Sequence, residues 1–490
     1  MATSFIYDAL NGINHTLFFY YLCTNLIYLF LLIVAIFSST HHLRRLASTR
    51  LERLKASPLA PPISMLVPAH NEEKTIAVSV RSMLSLDYPE MEVVVVNDGS
   101  RDNTLAELVR EFRLLRTDLL YVSEVPTAAV RGVYMSQIEP RLIVVDKEPG
   151  GSKADAVNAA LNAASCPFIC VVDADAILER DSLLRIMAPI LTDPRRVVAA
   201  GGIVRVANGS RIVEGELRSV RLPSRPIEVL QVVEYLRAFL IGREGWAHFN
   251  MLMIISGAFG VFRRDLVRQA GGYRHDAIGE DFDMVARLHR LLLDRKEDYH
   301  ISFVPDPVCW TQVPGDVKSL GSQRSRWQKG LMDVLWRNRG MLFNPRYGRV
   351  GLIALPYLWI FEMLAPVIEI VGYSSIILAA LLGVLNGDFF LQFLIFGYAF
   401  ATMISIGSVL QEEISYRRYN DWRDVVRLIL YCFLEHFPYR QLQMIWRLKG
   451  MWQFLRGDTS WGKMERAGFE TQAEAGVKKD PAAQSGLASR

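Results

Sequence analysis

The first long apolar stretch of the chain runs from Thr16 to Ser38 and holds no charged residue. A helix of this length is long enough to cross the hydrocarbon core of a bilayer. Basic residues then outnumber acidic ones before residue 60, which is typical of the cytoplasmic side. Within residues 1–60 we therefore expect a membrane helix at about 16–38, with the N-terminus outside, followed by a basic linker inside. The basic residues are Arg44, Arg45, Arg50, Arg53 and Lys55.

After Pro61 and Pro62, short apolar runs alternate with helical patterns. This alternation predicts a parallel sheet covered by helices. The predicted strands are Ile63–Val67, Glu92–Val96, Leu142–Val145 and Phe168–Val172, and the predicted helices are Glu72–Ser85, Thr104–Leu114, Lys153–Ala164 and Ser182–Leu191. Residues 123–141 have mixed polarity, so we expect a loop or a small insertion there.

The last third of the chain is again strongly apolar. No Lys or Arg occurs from Gly351 to Tyr416, and two apolar stretches, at about 351–385 and 389–410, flank a turn at Asn386-Gly-Asp388. A turn without positive charge is expected on the outer side, and Arg417 and Arg418 bring the chain back inside. One more span, a re-entrant hairpin or interfacial helices would each suit the final segments, Val425–Leu434 and Gln441–Leu455.

Composition narrows the class of protein. The 490 residues exceed the roughly 250–300 at which one core stops growing, so at least two structural units are expected. The hydrophobic content of 51% suits a polar domain joined to a few membrane helices. A net charge of +4 is too balanced to indicate nucleic acid binding. Five scattered cysteines predict neither a disulfide framework nor a zinc site.

The candidate chemistry begins at the end of the buried strand Phe168–Val172, where Asp173 and Asp175 follow. Side chains two residues apart in an extended segment point the same way. Two carboxylates at the carboxyl end of a strand suit a divalent cation, Mg²⁺ or Mn²⁺, that neutralises a diphosphate. Taken alone, a solvated turn explains Asp-Ala-Asp equally well.

Two more polar turns follow predicted strands, at Pro68-Ala-His-Asn-Glu72 and Asn97-Asp98-Gly-Ser100. They belong to the same sheet edge as Asp173, so a nucleotide site is favoured. Gly150-Gly-Ser-Lys153 opens a helix about twenty residues before the carboxylate pair. Its N–H groups and the lysine suit a phosphate, although a turn with a solvated lysine is the ordinary alternative.

Two later motifs could serve an acceptor. From Glu228 to Ile255 the pattern is helical and apolar, and the small residues of Ser256-Gly-Ala-Phe-Gly260 then permit close approach of another chain. Glu280 and Asp281 open an amphipathic helix at Phe282–Leu293. They can cap that helix, or a carboxylate there can act as a general base.

Gln323, Arg326 and Trp327 lie in a helical stretch, where positions three apart share a face. An indole stacks on sugar C–H groups, and an arginine binds phosphate with two hydrogen bonds. An amphipathic helix at a membrane surface would also use Arg and Trp here.

Taken together, these motifs resemble the membrane-bound family-2 glycosyltransferases, which include cellulose, hyaluronan and poly-N-acetylglucosamine synthases. The resemblance covers roughly residues 10–470 and rests on the order of seven motifs. They are Pro68-Ala-His-Asn-Glu72, Asn97-Asp98-Gly-Ser100, Gly150-Gly-Ser-Lys153, Asp173-Ala-Asp175, Ser256-Gly-Ala-Phe-Gly260, Gly279-Glu-Asp281 and Gln323-x-x-Arg326-Trp327.

The resemblance implies a role for each matching residue. Asp98 resembles the family's uracil contact, Glu72 lies in its nucleotide-contacting turn, and Lys153 resembles its diphosphate-binding lysine. Asp173 and Asp175 look like the metal and diphosphate motif, Asp281 with Glu280 like the catalytic acids, with Asp281 as the base. Gln323, Arg326 and Trp327 resemble the platform for acceptor and diphosphate, and Trp461, Lys463 and Arg466 the segment that closes over the nucleotide. Asn97 and Gly279 depart from the family's pattern, which has an aspartate and a threonine or similar residue there.

The sequence therefore predicts a GT-A-type α/β (Rossmann-like) cytoplasmic domain over 62–345, membrane and interfacial helices over 346–456, a gating segment over 457–469 and a disordered tail over 470–490. The expected activity is inverting transfer of Glc or GlcNAc from a UDP-sugar to a growing β-linked polysaccharide, processive and coupled to export through an inner membrane, with accessory export subunits possible partners. Transfer of a single sugar to a polyprenyl phosphate or other lipid is the first alternative. A non-catalytic transporter or binding protein is the second.

Overall fold

The computed structural model describes residues 2–48, 60–117, 121–213 and 215–458. Its strands are β1 Ile63–Ala69, β2 Met91–Asp98, β3 Leu114–Thr117, β4 Val130–Ser136, β5 Leu142–Lys147, β6 Phe168–Val172, β7 Ile177–Leu178, β8 Val197–Val206, β9 Arg211–Val213, β10 Glu216–Ser219, β11 Phe259–Arg263 and β12 His300–Thr311. The gating residues Trp461, Lys463 and Arg466, and the tail 470–490, lie outside the described residues.

The α-helices are α1 Ala2–Ser48, α2 Ile76–Leu84, α3 Thr104–Phe112, α4 Lys153–Ala163, α5 Ser182–Thr192, α6 Pro226–Leu236, α7 Glu244–His248, α8 Arg264–Gln269, α9 Glu280–Asp294, α10 Val317–Arg337, α11 Leu355–Tyr357, α12 Ala365–Leu381, α13 Gly387–Ser415, α14 Trp422–Leu434 and α15 Arg440–Leu455. Segments of π-helix continue several of them, at Arg237–Arg243, Val350–Ala354, Leu358–Met363 and Glu435–Tyr439. Short 3₁₀ turns lie at Arg339–Met341 and Pro345–Tyr347.

Ten strands form one sheet, in the order β3-β4-β5-β2-β1-β6-β11-β8-β12-β7. The central run β5-β2-β1-β6 is parallel, as the alternation of strands and helices predicts. The expectation of a wholly parallel sheet is wrong, because β4 pairs antiparallel with β5 and β11 pairs antiparallel with both β6 and β8. The short connection at 137–141 between β4 and β5 is long enough for an antiparallel pair, whereas a parallel pair needs a longer crossover.

The central strands of the sheet are buried on both faces. All five residues of β6 and all ten of β8 are buried, which explains their unbroken apolar sequences. Residues 123–141, expected to be a loop or insertion, instead contain the strand β4, which lies between β3 and β5 in the sheet. It escapes sequence analysis because most of its residues are only partly buried, so it lacks an apolar run.

The predicted helix from Glu228 to Ile255 is also too long. Helical structure ends at His248, and residues 251–256, which precede β11, have no regular secondary structure and are mostly buried. An apolar segment buried on all sides has no periodicity that separates a helix from an extended chain.

Two helical segments are long and apolar enough to cross a membrane, Leu10–Arg44 within α1 and Phe390–Ser415 within α13. The helical segments Val350–Met363 and Ala365–Leu381 meet at an angle of 43° and could form a third span. The last helices, α14 and α15, pack on α6 and α10, respectively.

Polar contacts attach α1 and α13 to the sheet domain. Ser39 of α1 donates a hydrogen bond of 2.7 Å to the Glu244 carboxylate. Farther along α1, His42 pairs with Asp306 of β12. In α13, Glu412 forms a buried ion pair with Arg205 of β8. These buried contacts fix the ends of both helices against the domain that carries the candidate site.

Candidate active site

A cavity of about 1060 Å³ opens at the edge where the parallel strands β1, β2 and β6 end. Its wall includes the predicted residues Glu72, Lys153, Asp173, Asp175, Glu280, Asp281, Gln323, Arg326 and Trp327. Residues of α1 and of the segment 354–362 line it as well, among them Tyr28, Tyr357 and Glu362. One cavity therefore connects the carboxylate cluster with the helices that are candidates for crossing a membrane.

Asp173 follows directly after β6, and its carboxylate pairs with the Lys153 ammonium at the start of α4. Lys153 also donates to the Gly257 carbonyl oxygen at 2.9 Å. Burial lowers the pKa of Lys153, but Asp173 and Glu280, with Asp281 contributing less, raise it more, so the net shift is upward. A cationic side chain is thus held beside Asp173, at the carboxyl end of β6.

The glycine pair before α4 has a steric cause. A Cβ atom on Gly150 would lie 2.0 Å from the Asp155 carboxylate, and Gly151 has φ +74°. The helix is capped by Ser152, whose hydroxyl accepts a hydrogen bond from the Asp155 amide. The sequence therefore places Lys153 on the first turn of α4, beside β6.

Glu280 and Asp281 lie on the first turn of α9 and face the same cavity. Asp281 accepts hydrogen bonds from the amides of Gly257 at 3.2 Å and Phe282 at 2.8 Å. Burial, and next the Asp281 charge, raise the pKa of Glu280 to about 7. The Glu280 carboxyl can therefore hold a proton near neutral pH.

The two departures from the family's pattern have physical reasons. The Asn97 amide donates a 2.7 Å hydrogen bond to Asp146, where an aspartate would place two carboxylates together. Gly279 packs against Gly330 of α10, and a Cβ atom on Gly330 would lie 3.2 Å from the Gly279 Cα. Close contact between these glycines brings the start of α9 against α10.

The predicted nucleotide contacts are placed differently. Glu72 lines the cavity and accepts a hydrogen bond from the Thr75 hydroxyl at 2.8 Å. Asp98 is not among the described lining residues, because its carboxylate accepts from the buried Lys147 at 2.5 Å and from the Gly150 amide at 2.9 Å. Lys147 also pairs with Asp155 at 2.6 Å, so it joins the Asp98 turn to α4.

Gln323, Arg326 and Trp327 present one face of α10 to the cavity, as the spacing predicts. Trp327 is 46% exposed, and the Arg324 guanidinium lies 4.1 Å from the centre of its ring. Sequence reasoning missed Arg324 and its partner Glu234, and also the lining residues Tyr28, Glu362 and Arg447. Arg324 lies within the Gln323-x-x-Arg326-Trp327 motif, but the other four residues belong to none of the sequence motifs.

Asp173 and Asp175 are the residues that could hold a divalent cation, because carboxylate oxygens are the ligands Mg²⁺ and Mn²⁺ prefer. Within the described residues, no cluster of three or more His, Cys, Asp or Glu side chains could hold a metal by itself. Two carboxylates on one cavity wall fit a cation that a diphosphate helps to bind, as Mg²⁺ commonly does.

A family model described as glycosyltransferase like family 2 matches residues 61–330, more than half of the chain. This chain belongs to glycosyltransferase family 2. Membership of this family means that the chain is an enzyme, a glycosyltransferase. The match covers the domain that contains the mixed α/β sheet described above. The resemblance seen in the sequence motifs is thereby confirmed.

Among curated proteins, the chain is similar to poly-β-1,6-N-acetyl-D-glucosamine synthases of Staphylococcus. That of S. epidermidis is 29% identical over 56% of this chain and 56% of the relative. That of S. aureus strain COL is 28% identical with the same coverage. The aligned region thus spans little more than half the length of these relatives.

Among solved structures, similarity extends to a mannosyltransferase of Pyrobaculum calidifontis in complex with GDP-Man and Mn²⁺. It is 21% identical, with a TM-score of 0.46, over 83% of this chain and 99% of the other. A glucosyl-3-phosphoglycerate synthase of Mycobacterium tuberculosis is 16% identical, with a TM-score of 0.35, over 59% and 85% of the two chains.

Proposed function

We propose that this enzyme transfers GlcNAc from UDP-GlcNAc to the growing end of a β-linked polysaccharide, with inversion at the anomeric carbon. The observation that carries the proposal is the single cavity in which Asp173, Lys153 and Asp281 face the Trp327 helix. A donor diphosphate and an acceptor sugar can occupy such a cavity side by side. The names of the staphylococcal relatives favour GlcNAc over Glc.

In this proposal, Glu72 and the Asp98 turn receive the nucleotide, and Lys153 binds the diphosphate. Asp281 accepts the proton of the attacking acceptor hydroxyl, as a positioned carboxylate can. The hydroxyl oxygen forms the new bond to the anomeric carbon as the bond to the diphosphate breaks on the opposite face. Negative charge then develops on the leaving diphosphate beside the Lys153 ammonium.

Asp173 and Asp175 would hold Mg²⁺ or Mn²⁺, which supplies further positive charge to the leaving group. Gln323, Arg326 and Trp327 would form the acceptor platform, with the indole against the C–H groups of the terminal sugar. The roles proposed for Trp461, Lys463 and Arg466 are those of a segment that closes over the nucleotide.

Processive synthesis and export are supported by the reach of the cavity. Beyond Trp327, its wall continues to Tyr28 of α1 and to Tyr357 and Glu362. In that region the Tyr28 and Tyr357 hydroxyls each donate to Glu362 at 3.2 Å, which makes a polar and aromatic lining suited to a glycan. We propose that the domain over 62–345 is cytoplasmic and that the product leaves through the helices over 346–456.

A panel of radiolabelled donors on purified membranes tests the proposal. UDP-GlcNAc should yield a polymer resolved on a gel, while UDP-Glc and GDP-Man should not, and Asp281→Asn should abolish the product. Failure of every donor to be consumed would refute the enzyme function. A single sugar on an extracted lipid would refute processive synthesis and select the lipid acceptor.

A further inference from the structure

A buried ion pair lies behind the exposed indole of Trp327. Arg324 is 3% exposed, and its guanidinium donates to the Glu234 carboxylate at 2.9 Å. The same Glu234 oxygen accepts from the Tyr439 hydroxyl at 2.6 Å and from the Gln443 amide at 2.8 Å. One carboxylate therefore ties α10 to α6 and to the helices that end the described chain.

The Arg324 guanidinium also contacts an aromatic ring, and its Nε and Nη1 atoms are buried. Its Cζ atom lies over the Trp327 ring at 4.1 Å, within the range of a cation–π contact.

We propose that Arg324, anchored by Glu234, is a positioning residue that holds the Trp327 indole in the orientation that binds the acceptor sugar. This inference rests on the proposed function, in which Trp327 is the acceptor platform. Arg324 and Trp327 are three residues apart on α10, so they share a face. The guanidinium contacts the ring and Glu234 fixes the guanidinium, which leaves the indole little freedom to rotate.

The arrangement explains why the cation that pairs with Glu234 is an arginine. A lysine could still pair with Glu234, but its ammonium is a point charge and cannot lie flat on an indole. Arg324→Lys therefore retains the charge and removes the planar contact. Glu234→Gln is the milder second variant, since an amide oxygen can still accept hydrogen bonds but no longer carries the charge.

The test measures acceptor and donor kinetics separately in the full-length enzyme in membranes, with UDP-GlcNAc and short β-1,6-linked GlcNAc oligosaccharides. Arg324→Lys should raise the acceptor KM about tenfold and leave the donor KM and acceptor-free donor hydrolysis within about threefold. Retained hydrolysis also shows that the variant is folded. Glu234→Gln should shift the acceptor KM in the same direction by a smaller factor.

A double-mutant cycle separates positioning from general support of the fold. If Arg324 acts only through the indole, Arg324→Lys should cause no further loss in a Trp327→Ala background. Additive losses, or equal losses of hydrolysis and transfer, would overturn the proposal. So would an unchanged acceptor KM in both Arg324→Lys and Glu234→Gln.

A matched control lies just beyond α10. Arg339 lies 5.2 Å from the ring centre of Trp336, and both residues are exposed and absent from the cavity wall. Arg339→Lys should leave all three kinetic readouts unchanged. If wild-type enzyme consumes no UDP-GlcNAc, the proposed function fails. If the wild-type enzyme polymerises normally but the Arg324 variants show the same kinetics as Arg339→Lys, the proposed function stands and the positioning inference alone fails.

Discussion

At the scale of single residues, the chemistry depends on charges held close together by backbone turns. Asp173 meets Lys153, and Glu280 lies near both. Opposite charges reduce the electrostatic cost of carboxylates that burial would otherwise protonate. The four side chains of Lys153, Asp173, Glu280 and Asp281 can therefore be tested by changes that keep their shape and remove their charge.

Asp173→Asn and Asp175→Asn should each abolish transfer, because an amide cannot supply the negative charge that holds a divalent cation. Sugar transfer by wild-type enzyme should be lost in excess EDTA and restored by Mg²⁺ or Mn²⁺. Asp265→Asn, at an exposed ion pair with Arg263, is the matched control. Wild-type turnover by either variant in EDTA would disprove the metal assignment.

Asp281→Asn should lower transfer by at least about a hundredfold, the lower range for a positioned acid or base. Donor affinity, measured by calorimetry, should stay within a few-fold of wild type, because Asp281 is proposed to contact the acceptor hydroxyl. Should donor affinity collapse together with activity, Asp281 would be a binding or structural residue.

Glu280 should make donor binding depend on pH. Its pKa of about 7 means that the carboxyl is neutral below and charged above neutral pH. Ionisation adds a negative charge to a site that is proposed to bind a diphosphate, so the donor KM should rise as pH increases through 7. We expect the donor KM to rise about fivefold. This factor corresponds to about 1 kcal/mol, the energy of two charges 4 Å apart in water. Glu280→Gln should show a flat profile, and persistence of the step in that variant would assign it to another group.

At the scale of elements, the sequence was most informative where a strand is buried on both faces. The predicted bounds of β6 match the structure because its whole length is apolar. Strand β4 was missed because it buries few residues, and the helix predicted to Ile255 ran past His248 into chain without regular secondary structure. Short motifs, each only a few residues long, predicted much of the cavity wall. Glu234 could not be predicted, because it joins the site only through tertiary contacts with Arg324 and Tyr439.

Helix α10 carries the proposed acceptor platform, and replacing Trp327 tests that role. Trp327→Ala removes a stacking surface worth about 0.5–1.5 kcal/mol beyond burial. Each elongation cycle repeats the loss, so product length on a gel should fall more than donor hydrolysis, which needs no acceptor. Trp336→Ala, an exposed residue of the same helix outside the cavity wall, should leave product length unchanged. Equal losses of polymer and hydrolysis would mean that Trp327 only supports the fold.

At the scale of the whole molecule, the ends of α13 must lie far apart. A helix of 29 residues is about 43 Å long, more than the thickness of a hydrocarbon core. Just beyond its C-terminal end, Arg418 pairs with Glu179 of the sheet domain at 2.7 Å. The N-terminal end of α13, at Gly387 and Asp388, therefore lies on the side away from the domain.

This geometry predicts which positions react from outside the cell. With the exposed Cys23 replaced by Ser, Asp388→Cys should be labelled by a membrane-impermeant maleimide on intact cells. Asn420→Cys, an exposed position beside the domain, should be labelled only after permeabilisation. The basic residues Arg417 and Arg418 after α13 favour the domain side as the cytoplasmic side, because positive charges mark that side. Labelling of both positions on intact cells would contradict α13 as a span. Labelling of Asn420→Cys alone on intact cells would place the catalytic domain outside, away from a cytoplasmic UDP-sugar.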